Sequence, residues 1–334
     1  MTSTDAKQDA TAAGLRYAGN NTPGLTRRLL KGGPAYFDSD QRRVTDPTLV
    51  QRLDSLAVPP AWTDVWLSAQ PNSHIQATGR DAKGRKQSLY HPEWIARRAE
   101  TKFEHMRDFG SVLPKIRAMV DHDLRSHGWP KRKVVALVVR LLEATRIRIG
   151  NKQYAARNQS FGLTTFVSSH AEVGSQRIKF KFKGKSGKFH DVEVSDRRLA
   201  RLVRECQELP GQSLFQYLDD DGVPSEVSSS DVNDYLRDIT HRDFTAKDFR
   251  TWIGTREALR LVREQQGPAH LDIKHIVSGV ASILGNTPAV CKSAYIHPGL
   301  LAVDQHKAKW ITSKLPRSTK FLDRIERLAL STLP

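Results

Sequence analysis

From residue 148 onward, five side chains of the kinds that handle phosphate esters occur in short, recognisable contexts. They are Arg148 in RIRIGN, Lys185 in FKGKSGK, Arg250 in TAKDFRTW, Asn286 in LGNTPAV and Tyr295 in CKSAYIHPG. If a tyrosine oxygen attacked a phosphodiester, it would displace one bridging oxygen and load negative charge onto two nonbridging oxygens. Arginine suits that charge because its fork is planar, multidentate and always cationic. The departing alkoxide holds its proton tightly, so a general acid helps, and a lysine among arginines can serve. Each residue also has an ordinary reading. Tyr295 can pack its ring and tether its hydroxyl. Arg148 can be a charge at a helix C-terminus stopped by Gly150, and Lys185 a solvated turn residue. Arg250 can pair with Asp248 or Glu257, and Asn286 can satisfy the chain end left by Gly285. Taken singly, each residue favours the ordinary reading.

The elements that must position them follow from pattern. From Gly24 to Tyr90 the text is short strands and turns. PAYFDSDQRRV reads as a hairpin turning at Asp38-Ser39-Asp40, and TDVWL alternates Val65 and Leu67 against Trp66. HIQATGRDAKGRKQSLYH reads as a second hairpin around Asp81 to Gly84, and DPTLVQRLDSL as one short helix. After His91 helices dominate. A long run to Ser126 is expected to break between Gly110 and Pro114. KRKVVALVVRLLEATRIRIG forms a helix stopped by Gly150. Between Ser160 and Val194 the period changes to two. Ile178, Phe180 and Phe182 alternate with Lys179, Lys181 and Lys183 in a hairpin that turns at Gly184 to Gly187. Further helices start at Ser195 or Asp196, at SSSDVNDYLRDI, and at Thr245 with Asp248 in capping-box position. Another ends at Gly285, and Thr287-Pro288 open the short helix that carries Tyr295.

The fold class is therefore α+β: a small β-rich N-terminal domain over 21–98, then a larger mainly helical domain over 99–334 with a small antiparallel sheet inserted. Residues 1–20 read as a disordered tail. No internal repeat or long linker interrupts this order.

The formal net charge of +17, with basic residues on strands, turns and helices alike, points to a polyanionic partner, above all nucleic acid. No stretch approaches the ~20 apolar residues that span a bilayer, and the N-terminus lacks the features of a secretory signal. The two cysteines, Cys206 and Cys291, exclude a disulfide framework and a cysteine zinc cluster. No His-Glu-x-x-His pair supports a metal. A cytoplasmic, nucleoid-associated protein is expected. The GKS at Gly184 to Ser186 is not a phosphate-binding loop. Position 179 is lysine where that motif needs glycine, and a strand follows instead of a helix.

Taken in order, the five segments resemble the type IB DNA topoisomerases in their compact bacterial and poxvirus-like form. The resemblance runs from about Gly24 to the last helices. It includes VPPAWTDVW, HIQATGRDAKGRKQ and YHPEW in the N-terminal part. It implies a catalytic domain of the tyrosine recombinase and topoisomerase IB kind. In that family Tyr295 would attack and become joined to a 3′ phosphate. Arg148 and Arg250 would stabilise the transition state, and Lys185 would protonate the 5′ oxygen. Asn286 would stand where many relatives have histidine and donate from a neutral amide. No cofactor, metal or nucleotide is implied. Double-stranded DNA is the implied substrate, with Arg85, Lys86, Gln87, Tyr90 and Lys247 as further DNA contacts. A monomer closing on DNA as a C-shaped clamp is the expected form. The chain departs from the family after GRKQ, where Ser88-Leu89 precede Tyr90.

Two other readings remain at the level of sequence. A tyrosine recombinase shares the chemistry but usually has histidine three residues before the second arginine, where this chain has Lys247. A non-enzymatic DNA-binding protein would explain the charge but not the five-residue set.

Overall fold

Alternating strands build the first part of the molecule. The structure, a computed structural model, describes residues 3–19, 21–219, 221–265, 271–302 and 308–333 of the 334. The chain is mixed α+β and divides into two compact units, Met1–Lys102 and Phe103–Pro334.

In the first unit, helix α1 (Ser3–Ala12) precedes strands β1 (Leu25–Leu30) and β2 (Gly33–Phe37), helix α2 (Pro47–Ser55), and strands β3 (Thr63–Leu67), β4 (Ile75–Arg80) and β5 (Lys86–Tyr90). The strands form one antiparallel sheet in the order β2-β1-β3-β4-β5. Its apolar face buries Leu25, Tyr36, Val65, Leu67 and Ala77 with Leu53 of α2. The β4–β5 hairpin turns where the sequence indicates. Asp81 Oδ1 accepts from the backbone N–H of Lys83 at 2.9 Å and of Arg85 at 3.0 Å, which pins the turn. The turn expected at Asp38-Ser39-Asp40 forms, with Asp38 N–H donating to Arg42 O at 3.0 Å and Val44 N–H to Tyr36 O at 2.9 Å, but its returning arm makes only a bridge between Phe37 and Arg43 and no strand. The N-terminal stretch is not a disordered tail: α1 forms there. Ala10 and Leu15 pack against Trp94, and the buried Asp9 pairs with Arg98 at 3.3 Å. Its sequence, STDAKQDATA, has only alanines for an apolar face, so the helix is hidden from pattern and is held by its tertiary contacts.

Helix α3 (Pro92–Asp123) is continuous, contrary to the expected break between Gly110 and Pro114. Proline forfeits one helical hydrogen bond. Against that loss, Phe109, Leu113 and Ile116 on the same helix are almost fully buried in the main core. Gly110 is a packing glycine: a β-carbon there would stand 2.2 Å from the Trp252 ring.

The second unit continues with α4 (Lys131–Thr145), α5 (Lys152–Asn158), strands β6 (Ala171–Val173), β7 (Arg177–Lys183) and β8 (Phe189–Ser195), and α6 (Arg197–Gln207). A small hairpin follows, β9 (Gln216–Leu218) with β10 (Pro224–Glu226), in a stretch that reads as loop from sequence. Then come α7 (Ser229–Thr240), α8 (Ala246–Glu264), α9 (Ile273–Leu284), α10 (Pro288–Ala294), α11 (Pro298–Leu301) and α12 (Arg324–Thr332). Ile178, Phe180 and Phe182 of β7 all point into the core, as the period of two requires. Capping follows sequence closely. Asp196 accepts from Leu199 N–H at 2.9 Å, and Asp248 accepts from Thr245 N–H at 2.8 Å. One stop differs. Helix α4 ends at Thr145, well before Gly150, because Arg146 takes a left-handed conformation at φ 61° and caps it. Arg148 therefore sits in an irregular segment beyond the helix, not at a helix end. A buried ion cluster fixes the last helix: Arg117 meets Glu326 at 2.6 Å and Glu143 at 2.5 Å, and Trp252 Nε1 donates to Glu326 at 3.2 Å.

Burial holds His74, His170, His190 and His297 below the ordinary histidine value of 6.5. The unfolded chain takes up protons on these groups near pH 6.5, whereas the folded chain does so only at lower pH. Stability should accordingly fall as pH drops from about 7.5 to 5.5. Thermal melts across that range are expected to show a steadily lower midpoint, and a flat or rising midpoint would contradict the assignment.

Candidate active site

Arg250 is the most constrained member of the set. It lies in the first turns of α8, is 5% exposed, and has Phe249, Thr251 and Trp252 buried around it. Its guanidinium donates to the backbone carbonyl of Arg146, the residue that caps α4, and at 2.8 Å to that of Leu284, the last residue of α9. Carbonyls at helix C-termini lack helical partners and carry partial negative charge, so one cation satisfies two of them. Burial lowers the proton affinity of Arg250, and the charge of Arg148 lowers it further. Arginine nevertheless stays charged in proteins. Arg250 Nε is buried and meets no acceptor at hydrogen-bond geometry.

Tyr295 caps α10 with φ −134° and ψ −8°. Its backbone is pressed against α8. A β-carbon on Gly254 would stand 2.5 Å from the Tyr295 carbonyl oxygen, so only glycine permits this approach. The ring lies beneath Arg250, whose Cζ is 5.3 Å from the ring centroid. Burial by itself would raise the hydroxyl's proton affinity. The charges of Arg250, Arg148 and Lys247, with a hydrogen bond from Arg250, outweigh that effect and hold the hydroxyl below the usual tyrosine value. Lys247, an exposed residue one turn before Arg250, therefore acts electrostatically on Tyr295, a role that the sequence does not reveal.

Arg148 is positioned by backbone. Its carbonyl accepts from Leu163 N–H at 3.0 Å, and Thr164 N–H bonds Ile149 O at 2.7 Å. A β-carbon on Gly162 would lie 2.5 Å from that Arg148 carbonyl, so the turn needs glycine. The Arg148 side chain donates to Asn286 Oδ1. Because arginine can only donate, this contact assigns the Asn286 oxygen and leaves its Nδ2 as a free donor. Nδ2 is buried with no partner at hydrogen-bond geometry. The Cys291 thiol, pushed up by burial, feels the Asn286 amide, but as a sulfur contact too poorly formed to satisfy it.

Lys185 is exposed at the tip between β7 and β8, where Ser186 and Gly187 take positive φ. It lines a cavity of about 230 Å³ together with Arg148, Arg250, His190 and Gly285. Arg148, Lys185, Arg250, Asn286 and Tyr295 thus converge within the second unit. Lys185 is the most exposed of them and Arg250 the least.

The N-terminal candidates belong to the first unit. Lys86 and Tyr90 are exposed on the edge strand β5. Arg85 and Gln87 converge on Asp81, Arg85 at 2.7 Å and Gln87 at 2.9 Å. These contacts, the hydrogen bond from Arg85 foremost, hold the Asp81 carboxyl down at about 2. His190, in the cavity beside both arginines, was absent from the sequence-based set. Its signal in the sequence is slight: one histidine in the strand after the GKSGK tip.

A mixed helix-and-sheet fold thus brings a buried arginine over a tyrosine, with Arg148 and Lys185 close by, a set of side chains suited to binding a phosphate group. The chain matches the family model of the catalytic core of eukaryotic DNA topoisomerase I over residues 88–320. It matches that of the bacterial DNA topoisomerase IB N-terminal domain over 33–81. It is 30% identical over 303 residues to DNA topoisomerase 1B of Acanthamoeba polyphaga mimivirus, covering 87% of this chain and 90% of the relative. DNA topoisomerase 1 of rabbit fibroma virus is 26% identical over 297 residues, 85% and 91% of the two chains. DNA topoisomerase 1B of vaccinia virus strain Copenhagen is 23% identical over 263 residues, 76% and 82% of the two chains. The chain belongs to the type IB DNA topoisomerase family, whose members are isomerases that change DNA topology.

Proposed function

We propose that this chain relaxes supercoiled DNA by transient cleavage of one strand through a 3′-phosphotyrosyl intermediate, rotation of the free end and religation, with no need for ATP or metal. Tyr295 Oη gives up its proton to solvent and attacks the phosphorus, and the O–P bond it forms replaces the bond to the 5′ oxygen. Lys185 supplies the proton to that departing oxygen, leaving a 5′ hydroxyl. Religation reverses both transfers, so the phosphodiester energy is conserved. Arg148 and Arg250 hold the nonbridging oxygens, and Asn286 donates to one of them. The observation that carries this reading is the pair of buried, unpartnered donors, Arg250 Nε and Asn286 Nδ2, beside a tyrosine ringed by positive charge. Unpaired buried donors are costly, and a phosphate oxygen is the acceptor that would satisfy both.

On this reading the catalytic domain is of the kind shared with tyrosine recombinases. The chain acts as a monomer that closes around duplex DNA as a C-shaped clamp. Arg85, Lys86, Gln87 and Tyr90 meet the duplex from the first unit, and Lys247 meets the scissile phosphate region from the second. Asp81 then yields Arg85 to a DNA phosphate. Two measurements test the proposal. Plasmid lacking any special site should relax in many steps with chelator present and no ATP, and an absence of relaxation would sink it. Affinity should fall steeply with salt, each neutralised phosphate contributing about 0.9 to the logarithmic slope. Replacing Arg85 and Lys86 together by alanine should lower that slope by about 1 to 2, and an unchanged slope would remove them from the interface.

A further inference from the structure

His190 lies in β8 directly across from Phe182 of β7 and stacks on it, with ring centroids 5.0 Å apart and planes 13° apart. Its other edges face two glycines on different elements. A β-carbon on Gly184 would stand 2.6 Å from His190 Cδ2 and 2.7 Å from Nε2. A β-carbon on Gly285 would stand 3.1 Å from Cε1 and 3.4 Å from Nδ1. Gly184 immediately precedes Lys185, and Gly285 immediately precedes Asn286. Gly285 also takes φ +64° to close α9, so its backbone is needed in that form on two counts. The imidazole therefore fills the gap between the tip that carries Lys185 and the turn that carries Asn286.

We infer that His190 is a positioning residue: its ring is the spacer that sets the Lys185 hairpin tip against the Asn286 turn. The inference deepens the roles given above to Lys185 and Asn286 and rests on them. Close packing is what makes a spacer effective, because a flat ring held between two backbones leaves little slack in either direction. The site is exacting in the same way: shifting a reacting group by about 1 Å can cost a factor of about 10². Burial and the charges of Arg148, Lys188 and Arg250 keep the ring in its neutral form. A neutral ring adds no further repulsion to the cations around it and leaves proton donation to Lys185.

The test is single-turnover cleavage of a nicked duplex carrying a mapped cleavage site, with either oxygen or sulfur at the bridging 5′ position. His190→Ala should slow cleavage of the oxygen substrate by about 10- to 100-fold. It should slow the sulfur substrate at least tenfold less, because a thiolate leaves without needing the proton. The double variant His190→Ala/Lys185→Ala should be no slower than Lys185→Ala alone, since the spacer acts through the lysine. Thermal melts confirm that the variant folds, and His190→Gln, which keeps bulk but not the plane, carries the same test if alanine is not tolerated. Additive losses in the double variant, or equal slowing of His190→Ala on both substrates where sulfur does rescue Lys185→Ala, would overturn the inference and leave His190 as a packing residue. If sulfur fails to rescue Lys185→Ala itself, the general-acid reading falls. The coupling between His190 and Lys185 still decides the positioning role, since it does not depend on what Lys185 does.

Discussion

Replacing Tyr295 by phenylalanine should abolish cleavage and relaxation while leaving the fold and DNA affinity nearly unchanged. The substitution removes one oxygen and keeps the ring that lies under Arg250. Loss of the hydroxyl also removes the acceptor for the Arg250 hydrogen bond, but Arg250 remains anchored on the carbonyls of Arg146 and Leu284. Other tyrosines are not expected to take over. Tyr235, for example, is buried and donates to Asp123 at 2.7 Å, and burial drives its hydroxyl well above the usual value. Measured by plasmid relaxation and by covalent trapping on a nicked duplex, the variant should show neither, whereas phenylalanine at any other tyrosine should keep trapping. Residual relaxation in a clean Tyr295→Phe preparation would return this residue to a packing role.

The second large effect concerns Lys185. Lys185→Ala should slow cleavage by roughly 10²–10⁴-fold, the usual worth of a general acid. A substrate with sulfur at the bridging 5′ position should recover most of that rate, because its leaving group hardly needs a proton. The side chain is exposed and sits beyond the β7–β8 ladder, so its removal leaves the core untouched. That exposure separates loss of chemistry from loss of fold. If the sulfur substrate is slowed as much as the oxygen one, Lys185 orients the phosphate and some other group supplies the proton.

Much of this arrangement is legible in the sequence because its signals are local. Alternation places Ile178, Phe180 and Phe182 inward, and it thereby leaves Lys185 at a tip. Thr245 with Asp248 and Thr287 with Pro288 start the helices that carry Arg250 and lead to Tyr295, and both caps form as their side-chain chemistry requires. What escaped depends on contacts distant in sequence. Arg148 is not at a helix end, because Arg146 accepts a left-handed backbone and gives its carbonyl to Arg250, 104 residues away. Helix α3 runs through Pro114, because burial on both sides of the proline outweighs one missing hydrogen bond. Helix α1 is held by Trp94 and the Asp9 ion pair, which composition cannot foretell. The short β9–β10 hairpin hides among acidic and serine residues that read as loop. Lys247 and His190 show the same limit at the site. One acts on Tyr295 by charge and the other by filling space between two glycines. Neither effect has a spacing or residue pattern to announce it.

The central claim is that Tyr295 becomes covalently joined to DNA through a 3′ phosphate. The most direct measurement traps the wild-type protein on a nicked duplex labelled near the nick, digests the adduct and sequences the peptide that retains DNA. The expected adduct is a single peptide modified at Tyr295, bonded to the 3′ phosphate of the labelled strand, with the released strand open to 5′ kinase labelling. DNA attached to any other residue, or joined to Tyr295 through a 5′ phosphate, would contradict the account.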